Sequence, residues 1–296
     1  MQKPLVSIAA LAAALSAFAG PAAAQKLDPA KTADALTISR KIACSTVDGE
    51  PATYWWFGEA YSRRQGEADK HLFNVQGMNI RACVAAPDGD GFNLVSRELL
   101  LYTDKETGKV LKTWTNPWTG QTVDVLHVAN DPVNGRYRSK TRDGKPYTWS
   151  GTISGDSWWQ TTTVPLYYPN PLASAYQKEI GGVYHATEMF NFFGEAASLL
   201  DPETTTADNV TVGWVRMSDW LPWMMMEGRD GAIYFHTAGR KLDRFDELPE
   251  VIKAEIRMHY PEYDETPPLD DARPNMTSWK YYDAVKKGEI KAPVRK

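Results

Sequence analysis

Six ionisable residues interrupt text that otherwise reads as apolar strand: Arg81, Arg97, Glu98, Glu188, Arg216 and Glu227. A charge buried without a partner costs several kcal/mol or shifts its pKa, so any of these that face inward must pair. As a set they suit acid–base chemistry, with an arginine for an acidic or carbonyl group and a carboxylate or histidine to move a proton. His185 and Glu188 are the expected acid–base pair and Arg216 their electrostatic partner. For any single charge, an outward solvated position is the plainer alternative. Arg97 and Glu98 are adjacent on one strand, so they point to opposite faces and do not pair with each other.

Metal chemistry finds little footing. The histidines, His71, His127, His185, His236 and His259, are widely spaced, with no His-Glu-X-X-His or His-X-His among them. Convergence of His127 or His236 with His185 and Glu188 is conceivable across neighbouring strands, but no metal and no cofactor is expected. A phosphate-binding loop, a dinucleotide fingerprint, a calcium loop, a Gly-X-Ser-X-Gly elbow and a haem-attachment motif are all missing from the text.

Aromatic residues are the most unusual feature: eleven tryptophans, fourteen tyrosines and nine phenylalanines. Adjacent strand residues face opposite ways, so Trp55-Trp56 and Trp158-Trp159 each place one indole on either side of their sheet. Buried indoles need an acceptor for their N–H, which favours a cavity edge over a solid core. At least two of Trp56, Trp114, Trp159, Trp214 and Trp223 are expected to border one pocket, with Glu188 or His185 opening onto it. Arg97, His127, Glu227 and His236 complete the candidate ligand-binding set. Trp220-Leu221-Pro222-Trp223-Met224-Met225-Met226-Glu227-Gly228 reads equally as an adaptable pocket wall or as a packed loop.

The elements that must hold these residues are mostly strands. β-Branched and aromatic runs cover 53–62, 71–85, 92–103, 110–114, 123–128, 147–153, 157–168, 211–217 and 232–237, separated by turn clusters such as Pro87-Asp88-Gly89-Asp90-Gly91. The segment 183–195 fits strand or helix. Helices are expected at 28–43, at 170–180, after Leu248-Pro249 up to Pro261, and at 278–287 before Gly288. The expected fold is mainly β: a single antiparallel β-barrel or strongly curved sheet, with short N- and C-terminal helices packed around it.

Residues 1–24 have the form of a secretory signal, with Lys3, an apolar run and Pro21-Ala22-Ala23-Ala24 before Gln25. One β-rich domain, 25–296, with a helical C-terminal extension would remain, periplasmic or secreted and without a membrane span. A formal net charge of −4 and no basic block give no reason to expect nucleic acid as a partner. Cys44 and Cys83 stand at even odds between a bridge and two buried thiols.

Several phrases resemble a family of exported bacterial proteins classified only as a domain of unknown function. They are Trp55-Trp56-Phe57-Gly58, Arg97-Glu98-Leu99-Leu100-Leu101-Tyr102, Lys112-Thr113-Trp114-Thr115-Asn116-Pro117, Glu188-Met189-Phe190-Asn191-Phe192-Phe193, and Leu248-Pro249 with His259-Tyr260-Pro261-Glu262-Tyr263. The build is also broadly similar to small-ligand β-barrels. The resemblance implies no reaction. The expected function is therefore binding of a small aromatic or hydrophobic molecule in a tryptophan-rich cavity, and the alternative is a cofactor-free lyase, isomerase or hydrolase acting on such a molecule through a His/Glu acid–base and an arginine.

Overall fold

A computed structural model of the chain describes residues 25–169 and 183–295. The signal-like segment 1–24 and the expected helix at 170–180 lie outside the described residues. Among the described residues twelve strands carry the fold. The N-terminal ones are β1 (Pro51–Arg63), β2 (His71–Ala85) and β3 (Phe92–Thr103), a plain antiparallel meander. The short strands β4 (Thr113–Thr115), β5 (Thr122–Asp124), β6 (Val128–Asn130), β7 (Gly135–Tyr137) and β8 (Thr152–Ser154) follow. A second meander comprises β9 (Ser157–Pro169), β10 (Val183–Glu195), β11 (Thr211–Ser218) and β12 (Ala232–Leu242). Residues 183–195, ambiguous by sequence, form a strand because both neighbours, β9 and β11, satisfy its backbone groups along nearly its whole length.

The two meanders join where β12 pairs with β1, Thr53 opposite Leu242 through Arg63 opposite Ala232. The resulting ten-stranded sheet runs β6-β3-β2-β1-β12-β11-β10-β9-β8, with β7 also on β3, while β4 and β5 form a separate hairpin. Closure into a barrel, one of the two expected forms, does not occur. The edge on one side is made of two three-residue pieces flanking Pro132, and the edge on the other is the three-residue β8. Such short, proline-broken edges offer too few aligned N–H and C=O groups to zip together.

The sheet is nevertheless curved. β3 and β10 are five strands apart, roughly 24 Å across a flat sheet at ~4.8 Å per step. Yet their side chains line the same cavity, together with those of β1, β2 and β11. The convex face of β2 and β3 is covered by the C-terminal helices α3 (Glu250–His259) and α4 (Ser278–Lys287). Met78, Ile80, Leu99 and Leu101 pack there against Ile252, Ile256, Tyr260 and Tyr281. β2 is accordingly buried on both faces, so its sequence lacks clean polar–apolar alternation. Helix α4 starts on the Thr277 hydroxyl, which accepts from the Lys280 N–H, and ends at Gly288 with φ 76°, a left-handed cap that suits glycine.

Each open end of the curl is stoppered. At one end, the β4–β5 hairpin and the segment Trp220–Met226 pack on Phe73, Tyr102 and Phe235. At the other, α1 (Thr32–Ala43) and α2 (Ala196–Leu200) pack with Trp149 and Trp158 on Tyr54 and Val212. Cys44, just after α1, is bridged to Cys83 on β2 with Cα atoms 5.9 Å apart. That bond closes a loop of about 40 residues, worth ~4 kcal/mol by chain entropy. Lys41 and Lys241, both drawn into this end, donate to backbone carbonyls: Lys41 to Ser198, Leu199 and Asp201, Lys241 to Lys41 and Cys44. Burial lowers their pKa values to about 8 and about 7.

Candidate functional site: an interior cavity with four charged side chains

Strand parity decides what enters the curl. On β1, Tyr54 and Trp56 face in and Trp55 faces out beneath the C-terminal helices. On β9, Trp158 is fully buried inside while Trp159 is 39 % exposed outside. Trp56 lies opposite Gly77 on β2 and Gly239 on β12. A Cβ at Gly77 would overlap the Trp56 indole ring, and one at Gly239 would crowd its Cβ and backbone. Only glycine on both flanking strands lets the indole lie down across the sheet, and that keeps open the space above it.

The space is a cavity of about 270 Å³ between the two stoppers. Its apolar wall is Trp56, Trp214, Phe190, Phe192, Leu100 and Val212, with the Trp56 and Trp214 rings edge-to-face at 6.2 Å. The Trp56 indole N–H has no acceptor among the described residues. Polar groups break the wall at Asn79, Arg81, Ser96, Glu98, Asn134 and Glu188.

Four charges meet here from four strands. Glu188 on β10 and Arg216 on β11 are register partners, and Arg216 Nη1 donates to Glu188 Oε1 at 2.6 Å. Nη2 of the same guanidinium donates to the Tyr184 hydroxyl at 2.9 Å. Glu98 on β3 faces this pair across the cavity. Among the described residues its carboxylate has one hydrogen bond, a long one from Asn130 Nδ2 at 3.4 Å. Burial, and then the neighbouring Glu188 carboxylate, push the Glu98 carboxyl up to about 7, against the pull of Arg216 and Arg81. Arg81 on β2 donates from Nε to Asn79 Oδ1 at 2.5 Å and lies over the Tyr54 ring at 4.7 Å. Among the described residues no carboxylate forms an ion pair with it, and its burial pulls the guanidinium pKa down. Glu98 and Arg81 lie deep in the fold yet keep part of their surface accessible, as groups lining an internal cavity do.

Of the residues singled out from sequence, Trp56, Trp214, Glu188 and Arg216 come together at this cavity. Trp114 and Trp223 pack edge-to-face at 5.8 Å inside the neighbouring stopper, with Met224 and Met226 buried beside them. Asn116 Nδ2 donates to the Met224 carbonyl at 3.1 Å and ties that stopper together. Glu227 follows it, exposed in a turn. His127 is buried as a bridge: its Nδ1 accepts from the Tyr102 N–H at 3.0 Å and its Nε2 faces the Leu111 carbonyl at 3.0 Å. Burial depresses its pKa to about 3, so it is neutral at physiological pH. Arg97 points to the convex side, where it donates to the carbonyls of Glu262 and Glu265 and pairs with Asp131 at 3.2 Å.

His185, Trp159 and His236 are on the outer face. His185 is three residues from Glu188, a same-side spacing on a helix but an opposite-side one on a strand, and residues 183–195 are a strand. Its exposed ring sits 3.7 Å from the Asp219 carboxylate. Arg81 and Glu98, absent from the sequence-based site, belong to it. Both stood out as charges in strand text, and Glu98 shares parity with Leu100 on β3. Only the curl of the sheet brings that face opposite Glu188. Among the described residues no group of three or more His, Cys, Asp or Glu could hold a metal ion, and no helix is long and apolar enough to cross a membrane.

The chain matches, over residues 49–286, the model of a family described as protein of unknown function (DUF1838). The match takes in every strand among the described residues, helix α3 and all but the last residue of α4, and the protein is a member of that family. No curated protein matches the chain.

Proposed function

We propose that this is an exported protein that binds a small aromatic or hydrophobic molecule in the cavity between Trp56, Trp214 and Phe190. One observation carries the reading: two indoles, two phenylalanine rings and a few convergent polar groups line one hollow of about 270 Å³. Largely preformed apolar hollows with sparse polar anchors are the usual form of small-molecule sites. The glycines at 77 and 239 support it, because a sequence built only to fill its core has no need to keep Trp56 flat against the sheet. Export is supported by the signal-like pattern of residues 1–24 and by the Cys44–Cys83 bridge, a bond that persists in oxidising compartments.

The test is a titration of tryptophan fluorescence with 2-naphthamide, followed by calorimetry. Saturable quenching at one site is expected, with Trp214→Ala weakening it by ~1–3 kcal/mol. Absence of saturation, or an undiminished response in Trp214→Ala, counts against the cavity as the site.

A second reading has its own observation. A carboxyl group poised near neutrality faces a carboxylate–arginine pair across the cavity, and acids and bases whose pKa lies near the working pH are the most effective proton movers. On this reading the protein is a cofactor-free lyase, isomerase or hydrolase, with Glu98 moving the proton and Arg81 or Arg216 stabilising developing negative charge. Turnover of a bound ligand that is lost in Glu98→Gln, while binding persists, would separate the enzyme from the binder.

A further inference from the structure

Arg81 is the group that the fold leaves unanswered. Glu188 is already engaged by Arg216, and Glu98 lies outside ion-pair distance of both arginines. Of the five N–H donors on the Arg81 guanidinium, Nε is taken by Asn79, while Nη1 and Nη2 have no acceptor among the described residues. Neither terminal nitrogen is fully enclosed. The Tyr54 ring holds one flat face of the guanidinium by a cation–π contact at 4.7 Å, which leaves the in-plane donors unobstructed by it. A rigid, planar, two-pronged donor facing a cavity is the complement of a carboxylate, which accepts both prongs at once.

Charge arithmetic favours the same occupant. Among the described residues Glu188 pairs with Arg216, so these four side chains balance only when Glu98 is ionised beside Glu188. With Glu98 neutral, the four carry one excess positive charge, and no described carboxylate pairs with Arg81. An anionic guest supplies the missing charge.

We propose that the ligand is an aromatic carboxylic acid, its ring held between Trp56, Trp214 and Phe190, its carboxylate accepting from Arg81 Nη1 and Nη2 and from the protonated Glu98. This rests on the cavity reading above and names the chemical class that the cavity selects. Glu98 donates its proton in a hydrogen bond and keeps it; no covalent step is involved.

Three features of the binding equilibrium follow. The acid binds more tightly than its neutral amide, by about 10- to 100-fold, as for hydrogen bonds between charged groups. The preference depends on Arg81. Affinity for the acid also falls as Glu98 loses its proton. The groups that bear on Glu98 are Glu188 from β10, Arg216 from β11, Arg81 from β2 and Asn130 from β6. With its pKa near 7, the acid should bind about tenfold more weakly at pH 8 than at pH 6.

The experiment titrates the full-length mature protein with 2-naphthoate and 2-naphthamide, which share a shape and differ in charge, at pH 6 and pH 8. Arg81→Gln and Glu98→Gln are titrated beside the wild type. The expected result is preference for naphthoate, loss of that preference in Arg81→Gln, and loss of the pH dependence in Glu98→Gln. Equal binding of the two compounds by the wild type overturns the acid proposal and leaves the cavity reading standing. If neither compound binds, both fall. Preference for naphthoate that survives unchanged in Arg81→Gln assigns the anion to another cation and also overturns the proposal. If Arg81→Gln does not fold, the wild-type comparison of the two compounds and the pH response of Glu98→Gln decide the matter.

Discussion

Replacing Glu98 by glutamine should make the protein more stable at pH 8 and leave it nearly unchanged near pH 4. The reasoning starts from the position of the carboxyl, deep beside Glu188 with a long hydrogen bond from Asn130. Its pKa rises from an ordinary 4.5 to about 7 in the folded protein. Below pH 4.5 the group is protonated in both folded and unfolded chains and contributes no pH dependence. Between 4.5 and 7 the unfolded chain releases the proton and the folded one keeps it, so the unfolded state binds fewer protons and stability falls as pH rises. Above 7 both states are ionised and the loss is complete. A shift of this size corresponds to about 3 kcal/mol, at ~1.4 kcal/mol per pKa unit. Glutamine keeps the shape and cannot ionise, so the variant escapes the loss. The assay is urea denaturation of wild type and Glu98→Gln across pH 4.5 to 8.5, compared as a difference so that other titrating groups cancel. The variant's advantage should open between pH 4.5 and 7 and level off at ~3 kcal/mol. A Glu98→Gln protein that is less stable than wild type at pH 8, or whose difference does not change with pH, refutes the assignment of a raised pKa to this carboxyl.

Other perturbations probe the frame around the cavity. Gly77→Ala puts a methyl group into the Trp56 indole and should cost ~1–3 kcal/mol by overpacking, read from denaturant midpoints, while diminishing 2-naphthamide quenching. His127→Ala removes the bridge between the buried Tyr102 N–H and the part-buried Leu111 carbonyl; a loss of roughly 1–4 kcal/mol is expected from thermal or urea unfolding. The double replacement Cys44→Ser, Cys83→Ser should lower stability by up to ~4 kcal/mol, and reductant should affect the wild type alone. Glu188→Gln should draw the Glu98 midpoint downward, because it removes a repelling carboxylate and releases Arg216 to attract the ionised form.

How much of this could be read from the chain follows from the range of the interactions involved. Local rules decided the element types: β-branched and aromatic runs became strands, the turn cluster at 87–91 joined β2 to β3, and the helix at Ser278–Lys287 stops at Gly288 as expected. Parity along a strand also placed Trp55 and Trp56, Trp158 and Trp159, and Arg97 and Glu98 on opposite faces without reference to any partner. Where two periodicities fit equally, as at 183–195, the sequence left His185 and Glu188 side by side, and only pairing with β9 and β11 separated them. The expected strand at 147–153 shrank to Thr152–Ser154, with Trp149 packed on Trp158 instead.

The cavity belongs to tertiary structure. Glu98 and Glu188 are ninety positions apart and five strands apart in the sheet, so no local pattern relates one to the other. They face each other because β12 returns to pair with β1, a contact between residues 169 to 189 positions apart whose register no local pattern specifies. The degree of curl, set by twist and by which glycines permit close approach, then decides that the sheet stops short of a barrel and leaves a hollow. Residue type determined which groups must find partners once buried. The fold decided that Arg216 finds Glu188 and that Arg81 finds no carboxylate among the described residues.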